Sequence, residues 1–113
     1  MPRPPPNLFV TGVTLYRLGA IEQAGYPGHA DSAFYFNVAQ NIHAGLGTTT
    51  DYAWEFLSGP QSLPQYAFGY WLPLPSVLMS LALHFHNSLA AALGVNVIMS
   101  VLLASGTYFL AVA

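Results

Sequence analysis

Ser88–Ala113 reads SLAAALGVNVIMSVLLASGTYFLAVA, and these 26 residues decide the fold class. Their polar members, Ser88, Asn96, Ser100, Ser105, Thr107 and Tyr108, are small or mid-sized and carry no charge. As a helix rising 1.5 Å per residue the stretch is about 39 Å long, more than the roughly 30 Å of a bilayer's hydrocarbon core. The alternative is a helix buried on all sides within a soluble core. A chain of 113 residues is too small to surround such a helix. The stretch therefore reads as a transmembrane helix. Gly94, Ser100, Ala104, Ser105 and Gly106 would let neighbouring helices approach it closely.

The rest of the composition agrees. The chain is 54% apolar and 5% charged, against about 25% charged in ordinary globular domains. All six charges (Arg3, Arg17, Glu22, Asp31, Asp51 and Glu55) lie in the first 55 residues. Two arginines and no lysine cannot form a phosphate-tracking patch, so no nucleic-acid partner is expected. With no cysteine there is neither a disulfide framework nor a thiolate metal site.

Before the long helix lies a second apolar run, Leu72 to Phe85, opened by Pro73 and Pro75. Proline suits a first helical turn, where its missing N–H costs nothing. At 14 residues the run is short for an independent span. A turn at His84–Ser88 would make 73–113 a transmembrane helical hairpin, with arms at 73–86 and 88–113. At the other end MPRPPPN resembles polyproline. It leads into Leu8–Ala20, read as a partial first membrane helix, so that 1–20 form one segment. Too few basic residues flank these runs for a charge bias to set orientation.

Residues 21–71 carry the polar chemistry and are too long for a mere turn. Within them 31–44 reads as an amphipathic helix. Phe34, Val38 and Ile42 recur every four residues, and Asn37, Gln40, Asn41 and Ala44 form a second, largely polar stripe. Asp31 is placed at its N-cap and Gly45 at its C-terminal stop. Such a helix would lie on a membrane surface with its apolar face down. Asp51 and Glu55 are four residues apart and would share a helical face, although a solvated loop edge is the default reading. Trp54 and Trp71 suit either interfacial anchoring or stacking on a sugar or lipid. His29, Asp31 and His43 contain a conceivable divalent-metal set, but no HxxxH pair is present. His84 and His86 would point about 200° apart on a helix. No metal and no other cofactor is expected.

The stretch GYPGHADSAFYFNVAQNIHAGLGTTTDYAWEFL, followed after a gap by YWLPLPSVLMSLAL, resembles the bacterial polytopic glycosyltransferases of the C superfold. These are relatives of protein O-mannosyltransferases and of the aminoarabinose transferase of lipid A. The marks are Asp31 with Tyr35, the helix ending at Gly45 and Gly47, Trp54, and Trp71-Leu72-Pro73-Leu74, in an order running across about residues 12–113. The resemblance implies an all-α integral membrane fold in a multi-pass protein of the cell membrane. Loop 21–71 would be extracytoplasmic and carry a juxtamembrane helix. It implies sugar transfer from a polyprenyl-phosphate-linked donor to an acceptor hydroxyl, with Asp31 as general base. His29, Tyr35, Asp51, Trp54, Glu55 and Trp71 are the candidate substrate-binding residues. Where the family often has a second acid after the aspartate, this chain has Ser32. Members of the family are several hundred residues long. The chain is therefore expected to be the N-terminal portion of such an enzyme, inactive alone, with the lipid bilayer, the lipid-linked donor and the remaining helices of a longer parent as partners. The rival expectation is a small non-enzymatic membrane subunit, assembling through the small-residue face of the last helix, or a pseudogene remnant.

Overall fold

The computed structural model describes residues 5–52, 62–69 and 71–112. Four helices appear in it: α1 (Pro6–Glu22), α2 (Ala30–His43), α3 (Leu74–Phe85) and α4 (Leu89–Val112). Between α2 and α3 two short strands, β1 (Thr49–Thr50) and β2 (Gln65–Tyr66), pair antiparallel with Thr49 opposite Tyr66 and Thr50 opposite Gln65. The chain is all-helical apart from this clip, which the sequence reading places in plain loop.

α4 is the long member of the assembly. Its 24 residues make about 36 Å of helix. Among the described residues it is the one helix long and apolar enough to cross a membrane. Only 11% of its most apolar window is buried. Leu102, Leu103, Phe109 and Leu110 are exposed along it. A helix at the centre of a soluble core would be covered, and this one is not. Ser88 starts it: the hydroxyl accepts the Ala91 N–H at 3.1 Å, an N-cap bond that satisfies one of the first-turn donors.

α1 packs along α4. The Phe9 and Tyr108 rings stack at 6.2 Å, while Ala20 and Ile21 share a groove with Leu93 and Asn96, so the two helices run antiparallel. The helix begins earlier and ends later than the expected 8–20. Pro5 is extended (φ −63, ψ 145) and Pro6 takes the first helical position, which needs no N–H. No α1 residue is buried.

α2 and α3 lie side by side at the α4 N-terminal end. They run parallel: the Ser76 hydroxyl donates to the Tyr35 carbonyl at 3.1 Å near their starts, and His43 meets His84 near their ends. The buried face of α3 is Ser76, Met79, Ser80 and Leu83, a helical stripe of spacing three and four. Met79 and Leu83 pack with Ala39 of α2 and Ala92 of α4, where three helices meet over two alanines. The opposite face of α3, Leu74, Val77, Leu81 and Phe85, is exposed. At 12 residues α3 is about 18 Å long, too short to cross a bilayer. α3 packs on α4 as the short arm of the pair, and α1, about 26 Å long, packs along α4 as well.

The apolar face of α2 is occupied inside the protein. Phe34 and Val38 are fully buried with Ala67, and Ile42, Phe68 and Trp71 pack against them. This corrects the expectation that the face rests on a membrane surface. The period of the stripe is as read, but α3 and the segment around Ala67 cover it. The whole molecule is elongated, 60 × 27 × 21 Å.

Candidate functional site

Asp31 does not cap α2. The N-cap is His29, extended at φ −134 and ψ 175 with no side-chain capping bond, and Asp31 stands one step inside the first turn. There a carboxylate still meets the positive end of the helix dipole. Both residues are exposed. Gly28, at φ +98, makes the turn that delivers the chain to His29, a backbone conformation that favours glycine.

Tyr35 follows Asp31 by four residues, and so lies on the same side of α2. Its ring meets Phe34 at 5.7 Å and Trp71 at 5.9 Å, both edge-on, and Trp71 also packs on Phe34 at 5.5 Å. The structure therefore brings Tyr35 and Trp71 into one aromatic cluster, a single turn below the exposed acid. Trp71 is half-buried in this cluster.

Asp51 belongs to a second place. The Asn37 amide donates to Asp51 Oδ2 at 2.8 Å, and the Asn41 amide to the same oxygen at 3.2 Å. The Asn37 carbonyl oxygen accepts from the Thr50 hydroxyl at 3.1 Å and from the Asp51 N–H at 2.9 Å. Asn41 also donates to the Thr49 carbonyl at 3.1 Å. The polar stripe of α2 is thus the seat of β1, and the acid is held by the two amides. Around α2, Asn37 lies about 240° from Asp31. The two aspartates consequently serve different sides of the helix and form no paired-acid site. Trp54 and Glu55 lie outside the described residues, so the Asp51/Glu55 pairing has no counterpart here.

The histidines make one contact that the sequence does not announce. The His43 and His84 rings meet edge to face at 4.7 Å, with their Nδ1 atoms 3.5 Å apart. His84 Nδ1 is also 2.7 Å from the Ser80 carbonyl oxygen, which can only accept. In that bond His84 Nδ1 is the donor. Among the described residues no group of three or more His, Asp or Glu side chains converges as a metal site.

The larger grooves lie elsewhere, along the seam of α1 and α4. The first, of about 410 Å³, is lined by Phe9, Val13, Leu103, Ala104 and Tyr108 with Arg17 and Ser100. Of the small residues of α4, Ser100 and Ala104 face this seam, whereas a side chain placed at Gly94 or Gly106 would meet nothing within 4 Å.

Comparison with protein-family models, with curated proteins and with solved structures finds no match to this chain. Its own residues and their geometry are therefore the guide to its function.

The sequence reading missed Asn37 and Asn41 as the partners of Asp51. The signal was present, as two amides one turn apart in a polar stripe of an otherwise apolar helix. The His43–His84 contact had no such signal, since its members are 41 residues apart.

Proposed function

We propose that this chain is an integral membrane protein and part of a glycosyltransferase that moves a sugar from a polyprenyl-phosphate-linked donor to an acceptor hydroxyl. In this reading α1 and α4 cross the bilayer in opposite directions. α2, the β1–β2 clip and the rest of 21–71 stand together at the extracytoplasmic face. The exposed stripe of α3 rests in the adjoining leaflet.

The observation that carries the membrane reading is the bare surface of α4. A helix of 24 residues with 11% of its most apolar window buried needs an apolar medium around it. The antiparallel partnership of α1 with α4 supports a common side for 21–71, as two crossings would require. Support for sugar chemistry comes from Asp31: an exposed carboxylate at a helix start, one turn from the Tyr35–Trp71 aromatic pair. A general base needs such a carboxylate within hydrogen-bond reach of the acceptor hydroxyl. The grooves along α1 and α4 are not lined by Asp31. The enclosed reaction site would therefore be completed by helices of the parent enzyme.

Two measurements test this. Alkaline carbonate should leave the expressed chain in the membrane pellet; release into the supernatant would sink the membrane reading. In the parent enzyme, Asp31→Asn should cut transfer by about 10²–10⁴-fold while the protein stays assembled. An Asp31→Asn enzyme with full activity would remove the catalytic assignment and favour a non-enzymatic subunit.

A further inference from the structure

Arg17 sits in the C-terminal half of α1, five residues before Glu22, and lines a series of grooves along the α1–α4 seam. Its neighbours there are aliphatic or aromatic, apart from the polar Asn96, Ser100 and Thr107. Ser100 spends its hydroxyl proton on the Asn96 carbonyl at 2.7 Å. The Asn96 side chain is exposed beside Arg17.

Among the described residues Arg17 has no ion-pair partner. Helical neighbours three and four residues away, Val13, Thr14, Ala20 and Ile21, carry no acid. α4 has none along its whole length. Glu22 ends α1 and lies about 140° round the helix from Arg17. Asn96 and Ser100 are seven and eleven residues past Leu89, about 10–17 Å along α4. With Glu22 five residues on, Arg17 stands near the polar end of the α1–α4 seam, from which its long side chain reaches toward the membrane boundary if α4 crosses the bilayer. A guanidinium at that level meets the headgroup layer, where lipid phosphates are the available anions.

We infer that the α1–α4 seam binds an anionic phospholipid, with an aliphatic chain in the apolar groove and its phosphate on the Arg17 guanidinium and the Asn96 amide. This inference rests on the membrane reading above. Charge selects the occupant. A second copy of the chain brings no carboxylate within its own α1–α4 span, so self-association leaves Arg17 unpaired. A lipid phosphate brings the anion and the aliphatic chain together, and a guanidinium suits its oxygens through two parallel N–H bonds.

The experiment is native mass spectrometry of the full chain released from detergent, with phosphatidylglycerol and phosphatidylcholine at equal mole fraction. Carbonate extraction is run on the same material. The wild type should retain phosphatidylglycerol about fivefold over phosphatidylcholine, the factor one arginine near a lipid phosphate supplies. Arg17→Gln should abolish the preference, Arg17→Lys should keep part of it, and Asn96→Ala should weaken it. Arg17 is exposed, so these variants should fold, and an unchanged thermal unfolding midpoint in the same detergent would show that they do. Equal retention of both lipids by a wild-type chain that resists carbonate would overturn the lipid site and leave the membrane reading standing. Carbonate release of the wild type would overturn both. Displacement of the lipid by excess inorganic phosphate would show a free-anion site and overturn the lipid assignment.

Discussion

Gly45 closes α2 with a left-handed residue at φ +80. Its N–H donates to the Ile42 carbonyl at 3.1 Å, and the Leu46 N–H reaches back to the Asn41 carbonyl at 2.8 Å, the paired bonds of a Schellman end. A Cβ at Gly45 would meet nothing within 4 Å, so a substitution is opposed by conformation alone. Gly45→Ala should therefore cost about 1 kcal/mol and Gly45→Asn about half as much. Thermal unfolding in a mild detergent measures both, and an unchanged midpoint for the alanine variant would contradict the conformational cost. Asn37 is the other residue on which local structure hinges. It supplies the donor to Asp51 and accepts from both Thr50 and the Asp51 backbone. Asn37→Ala leaves the buried Thr50 hydroxyl without its acceptor and should cost about 2 kcal/mol. If the network acts as a unit, Asn37→Ala and Asp51→Ala should be less than additive in a double-mutant cycle. Strict additivity would show that the two residues do not communicate.

At the scale of elements, helix ends were legible wherever they have a local chemical cause. α2 occupies 30–43 against a reading of 31–44, and α3 and α4 likewise fall within about a residue of theirs. Pro73 and Pro75, Ser88 and Gly45 mark these boundaries by themselves. Partners were not legible. The Phe34–Val38 stripe says that a face is buried, but a period of 3.6 does not distinguish a bilayer surface from α3 and Ala67. The β1–β2 clip was invisible because two residues per strand carry no period. The candidate site shows the same division: the pairing of Asp31 with Tyr35 came from the family resemblance, while the contact of Trp71 with Tyr35 arises only through tertiary packing. Because α2 is held by a shared core and not by lipid, Phe34→Ala should cost about 3–5 kcal/mol and loosen α2 in detergent as much as in bilayers. Hydrogen exchange of the α2 amides reads this, and a loss seen only in bilayers would restore the surface-helix view. Ser88→Ala should cost about 1 kcal/mol through the lost N-cap, with Ser88→Asp largely retaining it.

The whole molecule is polar at one end and apolar along its length. Asp31, Asp51, the amide seat of β1 and the histidine pair gather around α2 and α3, whereas the outward surface of α4 is aliphatic and aromatic. The antiparallel course of α1 brings Glu22 back to the polar end and leaves Pro6 and Val112 together at the far one. A bilayer around α1 and α4 would cover the apolar length and leave the polar end in water. The absence of cysteine from the sequence makes this arrangement directly measurable, because any introduced thiol is the only one. Ser62 is exposed near β2, and Ile98 is 62% exposed midway along α4. In water the two positions would react with a thiol reagent at similar rates, since both are accessible and, among the described residues, neither adjoins a charge that would activate the thiol. In a bilayer the thiolate is suppressed by low polarity, and a charged maleimide cannot reach it. Ser62→Cys should label readily in sealed vesicles presenting the extracytoplasmic face. Ile98→Cys should resist until the protein is denatured in detergent. Equal labelling of the two in intact vesicles would show that α4 faces water, and labelling of Ser62→Cys only after the vesicles are opened would turn the molecule the other way round in the membrane.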